Sequence, residues 1–221
     1  MVRRSFVVLL LAAACVASTA GGATAMTVGG EVFGAFNTHS MQQWNDDIVA
    51  PINELGGNMD EFGNAFSGGL GLRMWPNTNW MVAATWEPLF NTKKESVTDL
   101  EFNLNANAFE ATAGYFFPST SQAKFGLGGG LGYYSLGGEI TDPSDPTNGG
   151  KLTGSTVGFH FLGLMEWTAS PGFAVTGSAG YRIAKISDTK LDDVSSSPEF
   201  ATDYSGLMLR AGLAFYMPTS K

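Results

Sequence analysis

The chain has 221 residues, of which 29 are glycine, 44% are hydrophobic and only 14% carry a charge, with a formal net charge of -8. A water-exposed domain of this length normally carries more charge, and an acidic surface repels a phosphate backbone, so nucleic acid is excluded as a partner. The one cysteine, Cys15, lies in a leader-like segment, which leaves the rest of the chain with no disulfide and no cysteine-bound metal.

Arg3 and Arg4 form a basic start, Phe6 to Val16 an apolar run, and Ala23-Thr24-Ala25 a small-x-small cleavage site. Residues 1–25 therefore read as a cleaved secretory leader, with residues 26–221 as one domain. A lipidated Cys15 is the rival reading. Ala12 to Ala14 stand before it where such a signal carries a larger aliphatic residue. Beyond the leader, no run approaches the eighteen or so apolar residues of a membrane helix.

Eight alternating segments follow: Thr27 to Thr38, Ala65 to Trp75, Trp80 to Phe90, Phe102 to Phe117, Ala123 to Ile140, Leu152 to Thr168, Phe173 to Ser187 and Gly206 to Met217. A period of two is that of strands. Pro76 to Asn79, Pro118 to Gln122 and Ser170 to Gly172 are short turns, whereas the other four links are long and polar. Short turns at one end and long loops at the other are the arrangement of an all-β, eight-stranded, antiparallel up-and-down transmembrane barrel, with turns in the periplasm and loops outside. A barrel of eight strands is only wide enough to be filled by side chains.

A soluble barrel also alternates, so the faces must decide. In the sixth segment Val157, Phe159, Phe161, Met165 and Trp167 oppose Gly158, His160, Leu162, Leu164 and Glu166; in the fifth, Phe125, Leu127, Leu131 and Tyr133 oppose Gly126, Gly128, Gly130 and Gly132. The mixed faces carry too few charges to meet water. Turned inward, their glycines make room for the large residues beside them. Trp80, Phe117, Phe125, Trp167, Phe173 and Phe215 fall near the turn end, where an interfacial aromatic girdle belongs.

Of the 20 acidic residues, four lie on the inward phase of segments: Glu31, Glu87, Glu110 and Glu166. The others, among them Asp46, Asp47, Asp142, Asp145, Asp188, Asp192 and Asp193, lie in or beside the long loops. Arg73, Lys124, Arg182 and Arg210 share the inward phase. Because an uncompensated buried charge costs several kcal/mol, these groups are expected to pair, in a network centred on Glu87, Glu110, Arg182 and Arg210 with Lys124 and Arg73 nearer the periplasmic rim. Such a network either only satisfies the core or gates a narrow path. His160, separated from Glu166 by the inward Leu162 and Leu164, is either a satisfied core histidine or a proton-linked switch.

No catalytic residue, cofactor or metal site is assigned. A lipid-modifying enzyme needs a histidine and a serine, and His39 and Ser40 near Asp46 and Asp47 could make such a loop site, but nothing beyond proximity joins them. The acidic clusters lack the spacing of a calcium loop, and Gly128-Gly129-Gly130-Leu131-Gly132 opens no helix, so it is no dinucleotide loop. In the first loop, Trp44, Ile48, Ile52 and Leu55 recur at helical spacing despite Pro51, which predicts a short amphipathic segment over the mouth or a contact surface for a partner.

The last segment ends Arg210-x-Gly212-x-x-Phe215-x-Met217. This resembles the assembly signal of bacterial outer-membrane barrels, and the whole pattern resembles the small eight-stranded barrels, the group of the OmpA transmembrane domain, OmpX and OmpW. The resemblance implies export by the general secretory pathway, contact with the barrel-assembly machinery, and residence in outer-membrane lipid and lipopolysaccharide. Members of that group differ in function, so the fold does not choose among them; the expected role is structural or surface-interactive with a polar, plugged lumen, the alternatives being a narrow channel and an outer-leaflet lipid-modifying enzyme. An extracellular partner would meet the acidic loops.

Overall fold

The computed structural model describes residues 26–144, 149–195 and 199–217. The expected leader, Cys15 and Asp145 lie outside the described residues.

In chain order the strands are β1 (Thr27–Thr38), β2 (Asn64–Trp75), β3 (Trp80–Leu89), β4 (Thr92–Lys94), β5 (Glu101–Asn103), β6 (Ala106–Phe116), β7 (Ala123–Thr141) and β8 (Gly150–Ser170), followed by β9 (Phe173–Ile183), β10 (Lys185–Ile186), β11 (Lys190–Leu191), β12 (Val194–Ser195), β13 (Thr202–Asp203) and β14 (Gly206–Tyr216). Eight of them close a ring. Each of β1, β2, β3, β6, β7, β8, β9 and β14 pairs antiparallel with the next, and β14 returns to β1 with Leu213 opposite Val32. Closure leaves the wall without an edge strand.

Local chemistry sets the turns. Between β2 and β3 the Asn77 side-chain oxygen accepts the amides of Asn79 at 3.0 Å and Trp80 at 2.9 Å, the Asx geometry that reverses a chain in few residues. Between β6 and β7 the Ser121 hydroxyl donates to the Ala123 carbonyl at 2.6 Å.

The alternation sorts the two faces as their polarity demands. Phe66, Leu70, Leu72, Phe125, Leu127, Leu131, Val157, Phe159, Phe161, Tyr181, Ile183, Leu207, Leu209 and Phe215 all stand exposed on the outside. Trp80, Phe117 and Trp167 join them towards the turn end. Inside, glycines on one strand admit large residues from another: a Cβ at Gly114 or Gly128 would stand 2.6 or 2.9 Å from the Leu164 side chain.

Several elements differ from the sequence reading. The segment Phe102 to Phe117 is two strands, β5 and β6, because Leu104 turns fully into the mouth and interrupts the extended run. Likewise β9 stops at Ile183, since Ala184 and Ile186 bend inward and are buried. The third loop is short because β7 and β8, of 19 and 21 residues, continue as a paired wall above the ring. In the first loop, Gln42–Glu54 is helical with a π-turn at Asn45–Val49. That turn rotates the buried face, so Trp44 and Val49 are covered whereas Leu55 is 91% exposed.

Candidate functional site: the filled lumen

Neighbouring strands on opposite sides of the ring supply opposite charges. Glu87 on β3 and Glu110 on β6 are adjacent in the wall; Arg182 on β9 and Arg210 on β14 are adjacent across from them. Each arginine reaches both carboxylates. Arg182 lies 3.2 Å from Glu87 and 3.5 Å from Glu110, and Arg210 lies 2.6 Å from Glu110 and in direct contact with Glu87. These are struts across the barrel. At most 8% of any of the four side chains is exposed, so their mutual attraction is weakly screened.

Neutral donors complete the carboxylates. Glu87 accepts Asn37 Nδ2 at 2.7 Å and the Ser67 hydroxyl at 2.5 Å, while Glu110 accepts the Tyr134 hydroxyl at 2.9 Å. The guanidinium groups stack as well, Arg182 over the Tyr134 ring at 5.4 Å and Arg210 over Phe33 at 5.0 Å. His160 is buried here, with Nε2 2.8 Å from the Thr112 hydroxyl. A Cβ at Gly130 would stand 2.8 Å from that Nε2, so the glycine makes the imidazole's seat.

Towards the turn end a second strut repeats the design. Arg73 on β2 lies 3.1 Å from Glu31 on the adjacent β1 and 3.3 Å from Glu166 on β8, across the ring. The Tyr216 hydroxyl donates to Glu166 at 2.7 Å and Thr176 donates to Glu31 at 2.5 Å. Lys124 departs from the expected ion pairing: its ammonium stands 5.5 Å from the centre of the Trp75 ring.

Two apolar clusters lie on either side of the layer formed by Glu87, Glu110, Arg182 and Arg210. The lower comprises Trp75, Met81, Ala83, Phe116, Leu162, Leu164 and Met208. The upper gathers barrel and loop residues, among them Met41, Trp44, Val49, Met59, Phe62, Leu104, Leu136, Ile186 and Tyr204. Loop contacts hold it in place: Trp44 Nε1 donates to the Thr202 hydroxyl at 2.9 Å, and the Tyr204 hydroxyl to the Leu104 carbonyl at 2.7 Å. Between the two struts a cavity of about 40 Å³ is bounded by Arg73, Met81, Thr112, Leu164 and Arg210, room on the scale of a water molecule.

Other groups read from the sequence do not converge on a catalytic arrangement. His39 is buried in the mouth, with Nδ1 3.3 Å from Asn91 Nδ2 and its ring edge-on to Tyr204. Ser40 instead lines a separate polar groove with Asp46, Asp47 and Lys185. Among the described residues no group of three or more histidine, cysteine, aspartate or glutamate side chains is placed to hold a metal ion. At the end of β14, Arg210 and Gly212 face inward, while Phe215 and Met217 are exposed outside.

Outside the ring, Glu95 ties the first loop to the second. Its carboxylate accepts the amides of Asn58 at 2.9 Å, Thr98 at 2.6 Å and Val97 at 2.8 Å, with the Thr98 hydroxyl at 2.7 Å. These donors, Asn58 foremost, hold its pKa down at about 2.

Asn37, Ser67, Thr112, Tyr134, Thr176 and Tyr216 are the lumen residues that sequence reasoning did not single out. Their inward phase was available, but a neutral hydroxyl or amide gives no charge imbalance to flag it.

No family model and no curated sequence matches the chain. Solved structures do. A major outer membrane protein from Thermus thermophilus superposes with a TM-score of 0.53 at 10% identity, covering 86% of this chain and 99% of that one. The Neisserial surface protein A superposes with a TM-score of 0.50 at 19% identity, over 88% and 99% of the two chains. Ail, the attachment invasion locus protein of Yersinia pestis, gives 0.50 at 14% identity, over 86% and 99%. At these identities the likeness is one of fold: the chain has the fold of the small eight-stranded outer-membrane β-barrels.

Proposed function

We propose that this chain is an integral barrel of a bacterial outer membrane with a structural or surface-interaction role and a sealed lumen. It is not an enzyme. The outward face is continuous and apolar around the ring, with aromatic side chains towards the turn end, as a lipid-facing belt requires. The turns then lie in the periplasm and the loops outside.

One observation carries the sealed reading: the cross-lumen ion layer is bracketed by two packed apolar clusters, the upper one built largely from the loops. An ion crossing it would have to be desolvated at each cluster, and the pocket between the struts holds about 40 Å³. With no path inside, interaction is left to the outer surface and the acidic loops, where an extracellular partner would bind. Phe215 and Met217, outward at the end of the closing strand, suit recognition by the barrel-assembly machinery after secretory export.

The test is single-channel conductance of the chain from Met26, refolded into a planar bilayer, beside Arg182→Ala, Arg210→Ala. Silence in both, with circular dichroism showing folded β-structure, is expected, because the apolar clusters remain in each. Discrete wild-type steps altered by the substitutions would replace this reading with a narrow charge-lined channel.

A further inference from the structure

We propose that a notch in the outer wall, where β8 loses its neighbour above the lipid belt, binds the sugar head group of a glycolipid of the outer leaflet. The proposal rests on the membrane placement given above. β8 pairs with β9 as far as Phe159 opposite Ile183, and pairs again only at Thr153 opposite Lys190 of β11. Between these points the returning chain dips into the mouth to bury Ala184 and Ile186, leaving a gap beside β8.

Main-chain groups line that gap. On the side of β8 that meets β11, the Lys151 N–H donates to Asp192 Oδ1 at 2.9 Å, and the Lys151 carbonyl accepts the Asp192 amide at 2.8 Å. Strand periodicity then turns the N–H and C=O groups of Ser155 and Val157 to that same side, where no strand among the described residues pairs with them. The Val157 carbonyl meets the Thr156 hydroxyl there at 3.4 Å. Open main-chain groups in an otherwise closed ladder are a ready hydrogen-bonding site.

The side chains around the gap are those that hold a sugar. Tyr133, Ser135, Thr153, Ser155, Ser187 and Asp188 line a notch of about 670 Å³. The Asp188 carboxylate accepts the Ser195 hydroxyl on Oδ2 at 2.9 Å and stands 4.0 Å from Lys190, while its buried Oδ1 has no hydrogen-bond partner among the described residues. Hydroxyls, the exposed part of the Asp188 carboxylate and a tyrosine ring match the donors, acceptors and flat apolar face of a pyranose. The carboxylates of Asp188 and Asp193 against the single Lys190 disfavour a bare phosphate.

Continuity with the lipid belt selects the glycolipid. The register sets Ser135 opposite Ser155 directly above Tyr133 opposite Val157. One step along the wall therefore changes hydroxyl into hydrocarbon, and Val157, Phe159 and Ile183 are exposed immediately below. Acyl chains lie on these residues while the attached head group turns into the notch.

The experiment places the full mature-length chain, from Met26, in phosphatidylcholine nanodiscs and titrates it with a short-core lipopolysaccharide, reading bound glycolipid by native mass spectrometry. Insertion is scored separately, by circular dichroism and by altered gel mobility of the unheated protein. Saturable binding by the wild type, weakened at least tenfold by Ser135→Phe or by Asp188→Asn, with insertion unchanged, is the expected result. Because Asp188→Asn adds no bulk, it serves if Ser135→Phe fails to fold. Equal binding by both variants, or none by an inserted wild type, overturns the proposal. So does undiminished binding of the delipidated core oligosaccharide, which would make the notch a site for free saccharide. Failure to insert would instead overturn the membrane reading.

Discussion

At the scale of the residue, the informative object is a charge with nowhere to go but across the lumen. Glu110 is 3% exposed and meets Arg182, Arg210 and the Tyr134 hydroxyl together. Glu110→Gln keeps the shape but leaves two buried guanidinium groups to the single carboxylate of Glu87. Breaking a buried pair by removing one partner costs about 3–5 kcal/mol. Urea titration of the folded barrel in detergent, read by gel mobility, is expected to lose that much, and a loss under about 1 kcal/mol would show water replacing the carboxylate. The parity of Glu87, Glu110, Arg182 and Arg210 along their segments was enough to place them inside from sequence, since a barrel strand offers only two faces. What parity does not supply is depth or azimuth. The opposition of β3 and β6 to β9 and β14 follows from the closed strand order, and Lys124 meets the Trp75 face where an acid had been expected.

At the scale of the element, the strands were legible and the loops were not, because a strand repeats its instruction every second residue while a loop states it once. The first-loop helix shows the difference: Trp44, Ile48 and Ile52 were visible at helical spacing, but the π-turn at Asn45–Val49 buried Val49 and released Leu55. The clasp that positions this loop hangs on Glu95, whose pKa of about 2 lies below the ordinary 4.5. A carboxylate bound more tightly in its ionised form stabilises the fold above its ordinary pKa, and that contribution is lost as pH falls from about 4.5 towards 2. Amide hydrogen exchange at Asn58, Val97 and Thr98 is therefore expected to stay protected at neutral pH and to open over that acid window, while strand amides remain closed. Glu95→Gln should open the same three amides at neutral pH. Their continued protection in the variant would show that the loops are held by packing alone.

At the scale of the whole molecule, the sealed lumen proposed above amounts to resistances in series. On that reading the lower cluster with Phe116, Leu162 and Leu164 and the loop-built cap around Trp44 lie on either side of the ion layer, and either cluster alone suffices to block the bore. Trp44→Ala removes the residue that touches Phe62, Phe102 and Phe200 with ring centres 6.0, 6.2 and 4.8 Å away, at a cost of about 3–5 kcal/mol for a large aromatic in a core. Leu164→Ala opens the lower cluster at about 2–5 kcal/mol. Each alone is expected to leave a folded, less stable and electrically silent barrel, because the opposite cluster still strips water from an ion. The two together leave only the ion layer, whose charged groups can accept the water that enters from both sides, and the double variant is expected to show discrete conductance. Current from Trp44→Ala alone would mean that the lower cluster does not close the bore, and the loops would then be the sole seal. Silence of the folded double variant would place the barrier in the Glu87, Glu110, Arg182 and Arg210 struts themselves. In either case the wall is the constant part, and the interior filling decides whether this fold is a strut or a pore.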